Sequence, residues 1–329
     1  MRLNTVGRIV MLVLSLLAAP LTTDAQPPGK GYRIGMLETI PTAPNAANLD
    51  AFRHGLRELG YVEGHNLVIE YRSVDGRPER FPDLAMELVR LQVDLIVTRG
   101  TPAALAAKNA TGTIPVVMAA SGDPLETGIV ASLAHPGGNI TGLSALVTDL
   151  QAKRLELLKE LVPGAARIAA LFNMSNPFIQ VQWQEIETAA RSLGIEPQLL
   201  DVRKSEDIGP LFDAASISRA DALVVGPEAV TQANLQTITG LATKHRLPTM
   251  YPSRAFVDAG GLISYGVSYP HLYYRAAAFV DKIFRGAKPG DLPVEQPIRF
   301  ELVINLKTAQ ALGLTIPPMV LFQADEVIK

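Results

Sequence analysis

The stretch DLIVTRGTPAALAAKNATGTIPVVMAA (residues 94–120) decides the fold class. Two apolar runs, Asp94–Thr98 and Pro115–Ala120, flank the segment Pro102–Asn109, which we predict to be helical. The apolar runs are continuous rather than alternating, which is typical of strands covered by helices on both faces of a parallel sheet. A strand–helix–strand unit of this length predicts a right-handed crossover and therefore an α/β protein.

The same alternation of strand and helix continues on both sides of this unit and restarts near residue 150. The predicted strands are 32–39, 66–74, 94–98, 115–120, 167–173, 198–202, 222–225, 248–251 and 261–265. The predicted helices are 47–60, 81–91, 102–109, 150–161, 178–193, 208–217 and 232–244. The pattern in each half of the sequence therefore predicts a separate, open, Rossmann-like lobe. The tail after Gly286 is rich in proline, which predicts a segment that runs over the surface or between the lobes.

Composition excludes several classes of protein. The chain has 329 residues, 48% of them hydrophobic, and contains no cysteine, which removes thiol nucleophiles and thiolate metal sites. A formal charge of −2 argues against nucleic-acid binding, which usually requires a basic surface. The histidines show no spacing typical of metal ligands, and no nucleophile, phosphate-loop or metalloprotease motif is present in the sequence. We therefore expect no catalytic residues, metal or cofactor.

The N-terminus has the pattern of a secretory signal peptide. Arg2 and Arg8 precede the apolar run Ile9–Ala19, and small residues at Thr23 and Ala25 suit a cleavage site. Residues 1–25 are predicted to be removed on export. No second apolar stretch reaches the about eighteen residues that a membrane-spanning helix needs. We therefore expect an exported protein without a membrane anchor, located in the periplasm.

Small polar, acidic and tyrosine residues follow the predicted strands of both halves. Ligands of open α/β sheets bind outside the carboxyl ends of the strands. Each of these residues alone is explained by helix capping, with Thr101, Asp123 and Asn176 as caps before a proline. Together they predict a cleft between two sheets that encloses a small polar molecule. The candidate binding residues are Glu38, Thr39, Thr101, Ser121, Asp123, Asn173, Asn176, Glu228, Tyr251 and Tyr265.

Three segments carry a resemblance to a known family: Asp123–Gly142, Gly260–Gly266 and Pro293–Pro317. Together with Tyr32–Gly35 and Gly100–Lys108, they resemble the periplasmic substrate-binding proteins of ABC transporters, in the group described as tryptophan or tyrosine uptake binding proteins. The resemblance covers about residues 31 to 325. It implies a type I periplasmic binding protein fold and a carrier that delivers a small ligand to the permease subunits of an ABC transporter.

The resemblance also implies that the chain crosses three times between the lobes. The crossings are expected near Leu143–Thr148, Gly266–Tyr269 and Pro289–Pro297, where they form a hinge. The first lobe would then be 31–146, completed by about 267–290, and the second lobe 147–266, completed by about 291–329.

An amino acid suits the candidate residues best. Helix N-termini after Thr101 and Asn176 offer N–H groups to a carboxylate, and Asp123, Glu228 and Glu38 offer carboxylates to an ammonium group. Tyr251 and Tyr265 suit an apolar or aromatic side chain. Other small organic acids, amides and nucleosides are alternative ligands. A periplasmic sensing receptor and, less favoured, a secreted hydrolase are alternative functions, and we expect a monomer.

Overall fold

The computed structural model describes residues 31–145 and 150–329, so the predicted signal peptide and part of the first predicted crossing lie outside the described residues. The strands are β1 Tyr32–Glu38, β2 Leu67–Ser73, β3 Leu95–Arg99, β4 Val116–Ser121, β5 Ile140–Ser144, β6 Arg167–Phe172, β7 Glu196–Asp201, β8 Ala222–Val225, β9 Thr249–Tyr251, β10 Ile263–Val267, β11 Phe300–Asn305 and β12 Glu326–Ile328. The helices are α1 Ala46–Glu58, α2 Phe81–Arg90, α3 Thr101–Ala110, α4 Leu150–Leu161, α5 Pro177–Ser192, α6 Ile208–Ile217, α7 Ala229–Ala233, α8 Leu235–Lys244, α9 Arg254–Asp258, α10 Tyr269–Phe284, α11 Leu306–Leu312 and α12 Pro318–Gln323. No helix within the described residues is long and apolar enough to span a bilayer.

The first sheet is entirely parallel, with the strand order β2-β1-β3-β4-β5. Strands β3, β4 and β5 are buried along their whole length, which agrees with the continuous apolar runs predicted at 94–98 and 115–120 for β3 and β4. Side chains of α1 and α10 form a core on one face of this sheet, and side chains of α2 and α3 form a core on the other. The helices cover the two faces of the sheet and leave the carboxyl ends of β1, β3 and β4 accessible at its edge.

The second sheet has the order β12-β11-β10-β9-β8-β6-β7, in which β11 runs antiparallel to β10 and the other pairs are parallel. The prediction that the proline-rich tail runs over the surface or between the lobes is wrong for residues 300–328. Strand β11 lies inside the sheet, with Val303 and Ile304 buried. The prolines flank the run FELVIN without interrupting it, so every N–H of β11 stays available for pairing.

Helix α10 returns from the second sheet to the first. It begins directly after β10 and packs along α1, so closely that a Cβ on Gly55 would lie 2.9 Å from the Cβ of Ala277. The segment before β11 also touches the first sheet, because Glu295 N–H donates to the carbonyl oxygen of Gly142 at 2.9 Å. We call the first sheet with α1–α3 and α10 the first lobe, and the second sheet with α4–α9, α11 and α12 the second lobe.

Candidate functional site

A cavity of about 50 Å³ lies between the two lobes, at the carboxyl ends of β1, β3 and β4. Residues of both lobes and of the crossing between β10 and α10 line it. They are Thr39, Arg99, Gly100, Thr101, Ala120, Ser121, Gly122 and Ala145 of the first lobe, Arg154, Asn176, Phe178, Gln182, Pro227 and Pro252 of the second lobe, and Val267 and Tyr269 of the crossing. Most of the polar side chains that line the cavity are buried. A ligand in the cavity would therefore form its hydrogen bonds with the protein rather than with water.

Arg154 is the buried cation of the second lobe. Its Nε donates to the carbonyl oxygen of Tyr265 at 2.7 Å, while its Nη1 has no hydrogen-bond partner among the described residues. The side chain is 2% exposed, and burial lowers the pKa of Arg154 to about 10, so it stays charged at neutral pH. A buried guanidinium with a free N–H is costly unless an acceptor reaches it. This group is therefore suited to hold an anionic part of a ligand.

Hydroxyl groups of the first lobe face the same cavity. The hydroxyls of Thr39 and Ser121 are buried and make no hydrogen bond within the described parts of the chain. Thr101 Oγ1 accepts a hydrogen bond from the N–H of Gly122 at 3.1 Å and so fixes the loop after β4. The sequence prediction that Thr101 caps α3 is wrong, because the helix begins at Thr101 and Gly100, with φ of 85°, takes the cap position. The hydroxyls of Thr39 and Ser121 are therefore suited to form hydrogen bonds with a ligand.

Amide and acidic side chains of the second lobe supply the remaining polar groups at or near the cavity. Asn176 caps α5 as predicted, since its Oδ1 accepts from the N–H of Phe178 at 3.2 Å. Gln182, one turn further along α5, is fully buried, and both atoms of its amide are without a partner in residues 31–145 and 150–329. Glu228 follows the lining residue Pro227 and is 4% exposed. Burial raises the pKa of Glu228 to about 8, while N–H groups, Thr231 and the charge of Arg154 oppose that rise.

Arg99 is the buried cation of the first lobe and contacts the second. Its Nη1 donates to Oδ1 of Asn45 at 3.1 Å, and its Nη2 donates to Oε1 of Gln232 on α7 at 2.9 Å. Its guanidinium carbon lies 4.6 Å from the centre of the Tyr269 ring, a cation–π contact. Arg99 is thus fixed by groups from the first lobe, the second lobe and the crossing.

Glu38 lies behind the cavity in a network of the first lobe. Its carboxylate accepts hydrogen bonds from Tyr273 at 2.7 Å and from Asn45 at 3.2 Å, and it is fully buried. Burial raises the pKa of Glu38 to about 7, although the charge of Arg99 opposes the rise. The carboxylate therefore ties β1 to α10, and the structure does not place it against the cavity where the sequence predicts an ammonium ligand.

Five other candidates, including Glu228 beside the lining residue Pro227, also lie outside the cavity wall. Asp123 accepts from the N–H groups of Leu125 and Glu126 at 2.9 and 3.0 Å and closes a turn, and no helix follows it. Tyr251 is 1% exposed and stacks on Phe256 in the core of the second lobe.

The side chain of Asn173 accepts hydrogen bonds from Ser175. Half-buried Tyr265 contributes its carbonyl oxygen to Arg154 and not a ring to the cavity wall. Among the ten candidates, the structure brings Thr39, Thr101, Ser121 and Asn176 together at the cavity.

Arg99, Arg154 and Gln182 are functional candidates that the sequence analysis missed. Arg99 is the last residue of β3 and obeys the strand-end rule that selected Thr101. Arg154 follows Leu150 by four residues and precedes Leu157 by three, a spacing that places it on the buried face of α4. A charge at an apolar position of a helix was the signal that could have found it. In the described residues, no group of three or more histidine or acidic side chains could hold a metal ion.

Comparisons with known proteins give a family and several relatives. Residues 34–328 match the family described as ABC transporter substrate binding protein. A tyrosine-binding protein of Clostridioides difficile (strain R20291) is 29% identical over 285 residues, which are 87% of this chain and 81% of that protein.

Among the solved structures that match, two have titles that describe their ligand state. The ABC domain in complex with L-Trp from Streptococcus pneumonia is 30% identical, with a TM-score of 0.83, over 91% of this chain and 100% of that one. The ligand-free, open structure of a substrate binding protein with adhesive properties from Clostridium difficile is 26% identical, with a TM-score of 0.64, over 91% of this chain and 99% of that one. In this structure the two lobes are in contact, since Nη2 of Arg99 on the first lobe donates to Oε1 of Gln232 on the second.

Proposed function

The chain belongs to the ABC transporter substrate binding protein family, and from this premise we propose that it captures a free α-amino acid between its lobes and presents it to a permease. Its fold is that of the type I periplasmic binding proteins. The observation that carries the choice of ligand is Arg154, a buried guanidinium that lines the cavity between the lobes and whose Nη1 has no partner in the part of the chain that the structure describes. Relatives whose names or titles specify tyrosine or L-Trp support the same class of ligand.

The two charged ends of an amino acid match two sets of groups. The carboxylate binds Nη1 of Arg154 and the hydroxyls of Thr39 and Ser121, because charge-assisted bonds to a buried guanidinium are strong. The ammonium group donates to the amide oxygens of Asn176 and Gln182 and lies towards Glu228, whose Oε1 has no partner among the described residues. An ammonium ion near Glu228 lowers the free energy of its ionised form and offsets the effect of burial.

Substrate-binding proteins of ABC importers act outside the cytoplasm, and we assign this one to the periplasm after removal of residues 1–25. The protein acts as a monomer and a binder, without catalysis, and both lobes face the permease subunits when the ligand is enclosed. Family membership and the absence of hydrolase motifs from the sequence support a binding role.

Calorimetric titration of the exported chain with the L-amino acids tests this proposal. Arg154→Met should lower the affinity for the bound amino acid at least tenfold, since a hydrogen bond to a charged group contributes about 1.5 to 3 kcal/mol. The control is Arg191→Met, which removes an exposed arginine of α5 and should leave the affinity unchanged. If no amino acid binds the wild-type protein, or if Arg154→Met binds it as tightly as wild type, the proposal is wrong.

A further inference from the structure

Asn45 is a buried amide that does not serve the helix it precedes. It lies between β1 and α1, directly before the first residue of α1, and is 1% exposed. Asparagine is one of the residues preferred at this position, because its side-chain oxygen can accept a hydrogen bond from the first turn of the helix. The side chain of Asn45 makes no such bond. Helix capping therefore does not explain the residue.

Four hydrogen bonds to other side chains use the full capacity of the Asn45 amide. Its Nδ2 donates to Oε2 of Glu38 at 3.2 Å and to the hydroxyl of Tyr71 at 3.1 Å. Its Oδ1 accepts from Nη1 of Arg99 at 3.1 Å and from Nδ2 of Asn48 at 2.7 Å. The Tyr71 hydroxyl already donates to a backbone carbonyl oxygen, so it can only accept from Asn45. Glu38 and Tyr71 thus fix the amide with its oxygen towards Arg99.

Arg99 is bound by one hydrogen bond to each lobe. In the part of the chain that the structure describes, Asn45 is the one group of the first lobe that accepts from the guanidinium. The other acceptor is Oε1 of Gln232 on the second lobe. When the lobes separate, the bond to Gln232 is lost and the bond to Asn45 remains. An arginine side chain loses conformational entropy when it is fixed, and Asn45 makes that loss occur before the lobes meet.

We propose that Asn45 is a positioning residue for lobe closure, which holds the guanidinium of Arg99 in the open protein in the orientation that reaches Gln232. The inference rests on the proposed function, because the closed lobes enclose the amino acid there. It adds a residue that does not line the cavity and acts on the ligand only through Arg99. The effect of Asn45 on affinity should therefore disappear when Gln232 cannot accept the hydrogen bond.

A double-mutant cycle tests this dependence. The probe is the L-amino acid that binds the wild-type protein most tightly in calorimetric titration. Asn45→Ala and Gln232→Ala should each lower the affinity at least tenfold. The double variant should be weaker than either single variant by less than about threefold, because both substitutions remove the same contact between the lobes. If Asn45 only stabilised the first lobe, the two losses would multiply to at least a hundredfold.

The matched control is Asn66→Ala, which removes another structural asparagine of the first lobe. Asn66 precedes β2, at the amino ends of the strands, and is therefore remote from the cavity. Its Oδ1 accepts from the N–H of Val62 at 2.7 Å, and its Nδ2 donates to the carbonyl oxygen of Gly60 at 2.9 Å. Asn66→Ala should lower the thermal midpoint and leave the affinity within twofold of wild type.

A second measurement uses the ligand-free protein and does not require that an amino acid binds. The ¹⁵N relaxation of the Arg99 Nε–H group, assigned with Arg99→Lys, reports how far the guanidinium is ordered. This group should be ordered in the wild type and in Asn66→Ala, and mobile in Asn45→Ala. Asn45→Asp keeps an oxygen that can accept from Arg99, and it should restore the order.

Two results would overturn the positioning role. One is a pair of affinity losses that multiply in the double variant. The other is an Arg99 group that is as ordered in Asn45→Ala as in the wild type, or as mobile in Asn45→Asp as in Asn45→Ala. If no L-amino acid binds the wild-type protein, the proposed function is wrong, and the relaxation measurement decides by itself whether Asn45 positions Arg99.

Discussion

Nη2 of Arg99 on the first lobe donates a hydrogen bond of 2.9 Å to Oε1 of Gln232 on the second lobe. Both side chains are almost fully buried, at 4% and 3% exposure. When the lobes separate, water reaches both groups and replaces this bond. The bond therefore belongs to the closed arrangement of the lobes and contributes to the closed state relative to the open one.

Gln232→Ala should weaken ligand binding at least tenfold without unfolding the lobe. The variant leaves one N–H of Arg99 without its acceptor in the closed state only, and a lost bond to a charged group costs about 1.5 to 3 kcal/mol. Calorimetric titration with the bound amino acid measures the effect. Gln236→Ala, at an exposed position of α8, is the control and should bind as wild type. Equal affinity of the two variants would show that this bond does not stabilise closure.

Gly122→Ala should also disfavour closure. A Cβ at Gly122 would overlap the buried ring of Phe178, which belongs to the second lobe and supplies the three atoms nearest to that Cβ position. Affinity should fall at least tenfold and the thermal midpoint of the ligand-free protein should change little. Gly112→Ala is the matched control, because nothing lies within 4 Å of its Cβ position. A ligand affinity of Gly122→Ala equal to that of Gly112→Ala would contradict the prediction.

The stability of the fold should fall as the pH rises from about 5 to 8. The pKa of Glu38 is raised by burial to about 7 and that of Glu228 to about 8. The folded protein therefore keeps protons that the unfolded chain has already released, and each pKa unit corresponds to about 1.4 kcal/mol. The contribution of these two glutamates to the free energy of unfolding is fully present below the ordinary pKa of glutamate. It is lost as the pH rises through 7 to 8. Urea unfolding at pH 5, 6, 7 and 8 measures the slope.

Glu38→Gln should make that slope shallower, because glutamine mimics the protonated carboxyl group. The comparison is Glu160→Gln, an exposed glutamate of α4, which should keep the wild-type slope. If the slope of Glu38→Gln equals that of Glu160→Gln, the carboxylate of Glu38 titrates at its ordinary pKa in the folded protein.

Asp123→Ala should lower stability rather than affinity. The sequence analysis predicts that Asp123 binds the ammonium group, yet its carboxylate accepts two backbone N–H bonds from its own turn. Removal of the carboxylate leaves two N–H groups of this turn without their acceptor, at a cost of about 1 kcal/mol. Thermal unfolding should detect the loss, whereas the ligand affinity should stay within about twofold of wild type. A large loss of affinity with unchanged stability would restore the sequence-based role.

The strands that position the site could be predicted from sequence because their burial is uniform. Strand β3 is predicted at 94–98 and found at Leu95–Arg99, and helix α3 is predicted one residue late. Because they follow predicted strands, four lining residues could be selected from the sequence: Thr39, Thr101, Ser121 and Asn176. The topology of an α/β sheet brings strand ends together whatever their side chains are.

Arg154 and Gln182 could not be recognised by the strand-end rule, because they lie on helices. There the sequence shows a polar residue but not which face of the helix the opposite lobe covers. Strand β11 was missed because its prolines mark loops on either side and its antiparallel partner, β10, is remote in the chain pattern. Contacts between segments that are distant in the chain decide which face of a helix is buried and where β11 pairs. A single sequence contains no direct signal for such contacts.

Ligand should bring the two lobes together, and the absence of cysteine makes this measurable with spin labels. Gly76 of the first lobe lies so close to the second that a Cβ there would be 2.7 Å from the Cβ of Ala233. Labels at Glu79→Cys and Thr237→Cys, exposed positions near this contact, should show a long or broad distance distribution without ligand. Saturating amino acid should give one shorter, narrower distribution, because the ligand binds groups of both lobes only when they are close.

The pair Arg57→Cys and Glu79→Cys, both on the first lobe, should give the same distance in both conditions. An unchanged distribution for the pair that joins the lobes, at saturation, would contradict a hinge and mean that the ligand enters a cleft that is already closed.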